Sequence, residues 1–138
     1  MKYANFEIII LLLFLNIIKL VSADENESNS PLKVALCAIA KNENLYIREW
    51  VEFYKNIGIS KVIINDNNDK EGERFDVVIN DYIEDGFVDI NDMRGIVKND
   101  PRYGYSIQGQ AYEHCYDNYH NNVHMLVLEL NIHILDHF

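Results

Sequence analysis

Val34 to Ala40 reads VALCAIA, a short run of small and apolar side chains. Such a run is what a strand buried on both faces requires, as in a parallel sheet. From Asn44 the pattern changes. Tyr46, Ile47, Trp50, Val51, Tyr54 and Ile57 recur every three or four positions, with Arg48, Glu49, Glu52 and Lys55 between them. That period predicts an amphipathic helix, capped by Asn42 or Asn44 and stopped by Gly58. Lys61 to Asn65 predicts a second strand, followed by the polar loop Asp66 to Glu73. Phe75, Val78, Ile79 and Tyr82 give a second amphipathic helix that Gly86 ends, and Phe87 to Ile90 a third strand. Asn91 to Tyr105 is irregular. Ser106 opens a helix through Tyr119, and Met125 to Leu130 is a fourth apolar strand. The order βαβαβ-loop-αβ with short connections predicts an α/β fold with a mostly parallel sheet and flanking helices.

Ahead of this domain, Ile8 to Leu15 is an unbroken apolar run between Lys2 and Asn16. It is too short to cross a bilayer, which takes about 20 apolar residues. Val21-Ser22-Ala23 offers the small residues of a signal-peptide cleavage site. The expected organisation is therefore a signal peptide over 1–23, with an uncleaved anchor in the membrane as the alternative. A polar linker over 24–32, a domain over 33–130 and a divergent tail over 131–138 follow. Either reading of the leader sends the chain into the secretory pathway, to the ER or Golgi lumen, a membrane anchor or secretion. There Asn26, in Asn26-Glu27-Ser28, is a glycosylation acceptor.

Charge and cysteine count narrow the chemistry. Twelve Lys and Arg against 22 Asp and Glu leave a net charge of −10, which repels phosphate backbones and argues against nucleic acid as a partner. An anionic ligand would need backbone N–H groups, a local basic cluster or a metal bridge. Two cysteines exclude a disulfide-rich scaffold and a four-cysteine zinc site. Cys37 reads most simply as a small buried apolar residue. A bond between it and Cys115 depends on a Cα separation that the sequence leaves open. Ligands of open parallel sheets bind outside the carboxyl ends of the strands, which singles out Ala40 to Glu43, Asn65 to Asp69, Asn91 to Arg94 and the end of the fourth strand. The competing reading of so many Asn and Asp is turn formation.

Ala38-Ile39-Ala40-Lys41-Asn42-Glu43, then Tyr46-Ile47-x-Glu49-Trp50-Val51-x-Phe53-Tyr54 and Gly58, resemble the opening of glycosyltransferase family 92 and its family-2-like relatives. Val62 to Asn68 resembles that group's second strand and its Asp-Asn-Asn turn, and Gln110-Ala111-Tyr112-x-x-Cys115 the helix before the metal-binding strand. The resemblance implies the Rossmann-like, nucleotide-binding half of a GT-A fold. It implies a nucleotide-sugar as donor, a glycan or glycoprotein as acceptor, and a divalent cation, Mn or Mg, as cofactor. Carried over by position, Lys41, Asn42, Glu43, Asp66 and Gln110 are the nucleotide-sugar contacts. For Glu43 an equal alternative is a helix N-terminal acid stabilised by the macrodipole.

One departure bears on the chemistry. Where the group places Asp-x-Asp, this chain has Glu129-Leu130-Asn131, leaving Glu129 as the candidate metal ligand. Against the pattern the resemblance implies, the acceptor-binding half, with any catalytic base, is expected to be missing from this chain, and the catalytic residues are left unassigned. The expectation is a glycosyltransferase-like chain of truncated form, with a non-catalytic secreted module or a truncated gene product as the alternative. Met125 to Leu130 should then lie at an uncovered edge. The histidines from His114 to His137 lack the spacing of a zinc hydrolase, and Trp50 is expected in the core.

Overall fold

A computed structural model describes residues 32–96 and 106–129. Contacts divide the chain into two units, Met1–Leu32 and Lys33–Phe138, and every strand and helix named below belongs to the second. The expected leader, the sequon at Asn26, Asn131 and the tail lie outside the described residues. Among the described residues no helix is long and apolar enough to cross a membrane.

Four strands form one parallel sheet: β1 (Val34–Ala40), β2 (Lys61–Asp66), β3 (Val88–Asp92) and β4 (Met125–Glu129), in the order β3-β2-β1-β4. The helices are α1 (Ile47–Asn56), α2 (Phe75–Val78), α3 (Asn80–Glu84) and α4 (Ile107–Tyr119). All four strands stand where the apolar runs predict them, the third displaced by one or two residues, and Leu130 falls outside the described residues.

Alternation of side chains along β1 decides which helix covers which face. Ala35, Cys37 and Ile39 pack against Cys115, Ile107 and Ala111 of α4. Ala38 stands level with Glu129 on β4, and the Glu129 side chain meets Tyr54 of α1 at 3.4 Å. So α1 covers the opposite face. The strand order therefore reverses between β1 and β4, and such a switch opens a crevice at the carboxyl ends of the strands. Every residue of β1 is buried, as are Val62, Ile63 and Ile64 of β2, which accounts for their continuous apolar runs.

Three local expectations are revised. Neither Asn42 nor Asn44 caps α1: the preceding residue is Tyr46, and the carbonyl of Glu43 accepts from the N–H groups of Tyr46 and Ile47 at 2.9 and 2.8 Å. Asn42 instead adopts φ +60°, a left-handed conformation that asparagine tolerates better than most residues. The second helix is two short helices, broken at buried Ile79 (φ −121°, ψ 30°). Val77, Val78 and Ile79 are β-branched and hold a helix poorly. The break leaves the Val78 carbonyl to accept from Arg48 at 2.5 Å. Finally, Cys37 and Cys115 are joined in a disulfide with a Cα separation of 6.3 Å, across 78 residues of sequence. Closing so long a loop contributes about 4–5 kcal/mol in the chain-entropy model. The sequence could not place α4 on β1 at that register.

Two other signals act as expected. Gly58 and Gly86 end α1 and α3 with φ of 96° and 79°, and the Ser106 hydroxyl caps α4 by accepting from the Gly109 N–H at 3.2 Å.

Candidate functional site

Because the strands are parallel, their carboxyl ends share one edge. Ala40, Asp66 and Asp92 stand in register across β1, β2 and β3, which sets the loops that follow side by side. The chain crosses between these loops by backbone and side-chain hydrogen bonds. The Asn67 N–H donates to the Ala40 carbonyl at 2.9 Å, and the Met93 N–H to the Asp66 carbonyl at 3.0 Å. Asn68, fully buried, links three segments. Its Oδ1 accepts from the Asn42 N–H at 2.7 Å, its carbonyl from the Gly95 N–H at 3.1 Å, and its Nδ2 donates to Asp66 Oδ1 at 2.8 Å. The left-handed turn at Asn42 is what aims its N–H at that oxygen. Nearby, the Asn44 N–H donates to Glu73 at 2.8 Å, while Asn44 Oδ1 is buried with no hydrogen-bond partner among the described residues.

The predicted contacts divide into exposed and buried groups. Lys41 and Asn42 are exposed at the rim; Lys41 pairs with Asp69 at 2.8 Å, an ion pair open to solvent and hence of small energetic consequence. Glu43 is buried, four residues before α1, and so stands outside the first helical turn. Asp66 is 2% exposed and accepts at one oxygen from both the N–H and the side-chain amide of Asn68. Its other oxygen faces the Arg94 guanidinium at 3.9 Å. Burial pushes its carboxyl up, and the Asn68 donors and Arg94 oppose that rise. In this conformation Asp66 orders the loop after β2. Gln110 is half-buried on α4, next to Ile107 and Ala111, which pack on Ile39 and Met93. That places it on the carboxyl-end side of the sheet with the rest.

Glu129 is set apart. It stands level with Ala38, two residues short of the β1 end, on the α1 face, with the Tyr54 hydroxyl at 3.4 Å. Among the described residues no group of three His, Cys, Asp or Glu could hold a metal ion. A hard divalent cation takes six or more oxygens, several from carboxylates or carbonyls, and Glu129 alone brings one such group.

Arg94 and Asn68 carry more of this edge than the sequence reading gave them. The Arg94 guanidinium grips Asp92 at 2.9 and 2.7 Å and holds its carboxyl down at about 2; its own pKa is raised in return. With Lys70, Glu71, Gly72, Arg74 and Asp92 it lines an open depression of about 500 Å³ beside the strand ends. The sequence signal was an arginine two residues after an aspartate at a strand end, which marks a turn as readily as a site. Asn68 was visible only as one member of an Asp-Asn-Asn turn.

Searches among curated proteins and among solved structures each gave no match. The sequence model of glycosyltransferase family 92 matches residues 30–127. That span takes in the ends of β1, β2 and β3, the loops after them, all of α4 and most of β4. Over these residues the chain belongs to glycosyltransferase family 92.

Proposed function

We propose that the chain binds a nucleotide-sugar at the carboxyl ends of β1, β2 and β3, as the donor for glycosyl transfer to an acceptor hydroxyl on a glycan or glycoprotein. One observation carries the reading. In a chain of net charge −10, Lys41, Lys70, Arg74 and Arg94 lie together in the loops that follow β1, β2 and β3. A nucleoside diphosphate is an anion, and these four, although Asp69, Glu71, Asp76 and Asp92 stand among them, are the cations at this edge that can meet its charge. Arg94 and Arg74 are already oriented by Asp92 and Asp76, so their remaining N–H groups are presented at fixed angles. The exposed Asn42 side chain can both donate and accept, which suits a base edge or a ribose hydroxyl.

In transfer, the acceptor oxygen attacks the anomeric carbon and the bond to the diphosphate breaks. The part assigned to this chain is to orient the donor and to stabilise the charge gathering on the leaving diphosphate. The second task is assigned to Lys70 and Arg94, which line the same depression. Asp66 and Asn68 act through the loop they order. A divalent cation is the cofactor expected for such chemistry, and no step is assigned to it. The fully buried disulfide and the apolar leader both support a route through the oxidising secretory pathway.

Calorimetric titration of the full chain with a panel of nucleoside diphosphates, each with and without Mn²⁺, tests the reading. It predicts saturable heat for at least one. No heat for any of them at millimolar concentration contradicts it.

A further inference from the structure

Cys37 sits in the middle of β1 and Cys115 in the third turn of α4, and neither exposes any surface. Ala35 and Ile63 close over the sulfurs from the sheet, and Tyr112, Tyr119, Val123 and Leu126 pack around them. The Asn65 side-chain amide, fully buried, lies 3.4 and 3.5 Å from the two sulfurs, donates to the Ala38 carbonyl at 2.9 Å and accepts from Asn91 at 2.8 Å. Thiol–disulfide exchange needs a thiolate in line with the S–S bond, and there is no room for one while α4 lies on β1.

We infer that the Cys37–Cys115 bond is a latch gated by folding. Exchange at either sulfur passes through an opened state in which α4 has left β1. The closed bond in turn holds α4, and with it Ile107, Gln110 and Ala111, against the carboxyl-end edge of the sheet. The latch cannot be set until α4 has been made, because its halves lie 78 residues apart. Setting it joins the two sulfurs with loss of two protons and two electrons to a disulfide-bearing oxidant, itself reduced to two thiols. Reduction by a dithiol reverses this. One thiolate attacks a sulfur and expels the other cysteine as thiolate, and the second thiol then closes the reductant's own disulfide, freeing the remaining cysteine. The inference stands apart from nucleotide binding, and its test reads thiols and amides alone.

The experiment follows reduction of the full chain by dithiothreitol, trapping thiols by alkylation, against hydrogen exchange at the α4 amides. The bond should open more than roughly a hundredfold more slowly in the folded chain than in urea-unfolded chain. Sub-denaturing urea, and separately Ile63→Ala, should speed reduction in parallel with exchange at Ala111 to Tyr119. A smaller slowing overturns the inference, as does a rate that urea leaves unchanged while α4 amides exchange faster. The urea series on the unaltered chain decides the matter even if Ile63→Ala does not fold.

Discussion

β2 and β4 both pair with β1, both run parallel to it, and both are apolar, yet they live in different surroundings. β2 has β3 beyond it and is buried from Val62 to Asp66. β4 stands at the edge of the described sheet, with no residue fully buried and Leu128 47% exposed. At the end of β2, Asp66, Asn68 and Asn42 are bound into a single network with the loops on either side. At the end of β4, Glu129 meets Tyr54 from the far face of the sheet. Pairing alone thus does not make a buried strand; a second neighbour and a helix on each face do. The same enclosure that buries β2 also fixes the loop after it, so the pre-organised part of the edge is at β1, β2 and β3.

The sharpest contrast is in core energetics. Ile63→Ala empties a fully buried position facing the disulfide and should cost about 2–5 kcal/mol. Leu128→Ala, half in solvent, should cost below about 1 kcal/mol. Urea midpoints of the two variants measure both. Equal losses would mean that β4 is enclosed as fully as β2, and the comparison would fail.

A smaller effect is expected at α4, which the latch ties to β1. Ser106→Ala removes the hydroxyl that accepts from Gly109 and should cost about 1 kcal/mol. Thermal melts read it, and an unchanged melt would show that the disulfide holds α4 without its cap.

The smallest effect is one of pH, and its sign separates two aspartates in adjacent strands. Asp66 has its carboxyl raised by burial, so between the ordinary value of 3.8 and that raised value the folded state binds more protons than the unfolded one. Its contribution to stability therefore improves as pH falls through that window. Asp92, held near 2 by Arg94, behaves oppositely: its contribution is complete above 3.8 and is lost as pH falls toward 2. Urea midpoints of Asp66→Asn and Asp92→Asn against the unaltered chain over an acid series should diverge in opposite directions. Curves parallel to the parent in both windows would refute the assignment.

How far the sequence revealed this molecule follows from the range of each signal. VALCAIA, KVIIN and the Trp50 stripe state burial directly, because a side chain's polarity is local information, and the parallel sheet follows from their alternation. Gly58, Gly86 and Ser106 were readable for the same reason. Ile79 was not. Its helical spacing is intact, and the break comes from three adjacent β-branched residues with Arg48 waiting for the freed carbonyl. The Cys37–Cys115 bond and the Asn42–Asn68 contact join residues distant in sequence, and no periodicity encodes such a register. At the site, residue type pointed to the carboxyl-end edge of the sheet. Which groups face solvent and which face the fold needed coordinates: Asp66 and Glu43 look alike in sequence to the exposed Asp69, and are buried.

The central claim, that a nucleotide-sugar is held at the ends of β1, β2 and β3, is tested most directly by mapping amide shifts. The full chain, labelled with ¹⁵N, is titrated with the nucleoside diphosphate that gives calorimetric heat. The account predicts the largest shifts at Lys41 to Asn44, Asn67 to Gly72 and Met93 to Gly95, with the amides at the amino ends of the strands, Val34, Lys61 and Val88, unmoved. Shifts confined to those amino ends, or to the outer face of α1, would contradict it.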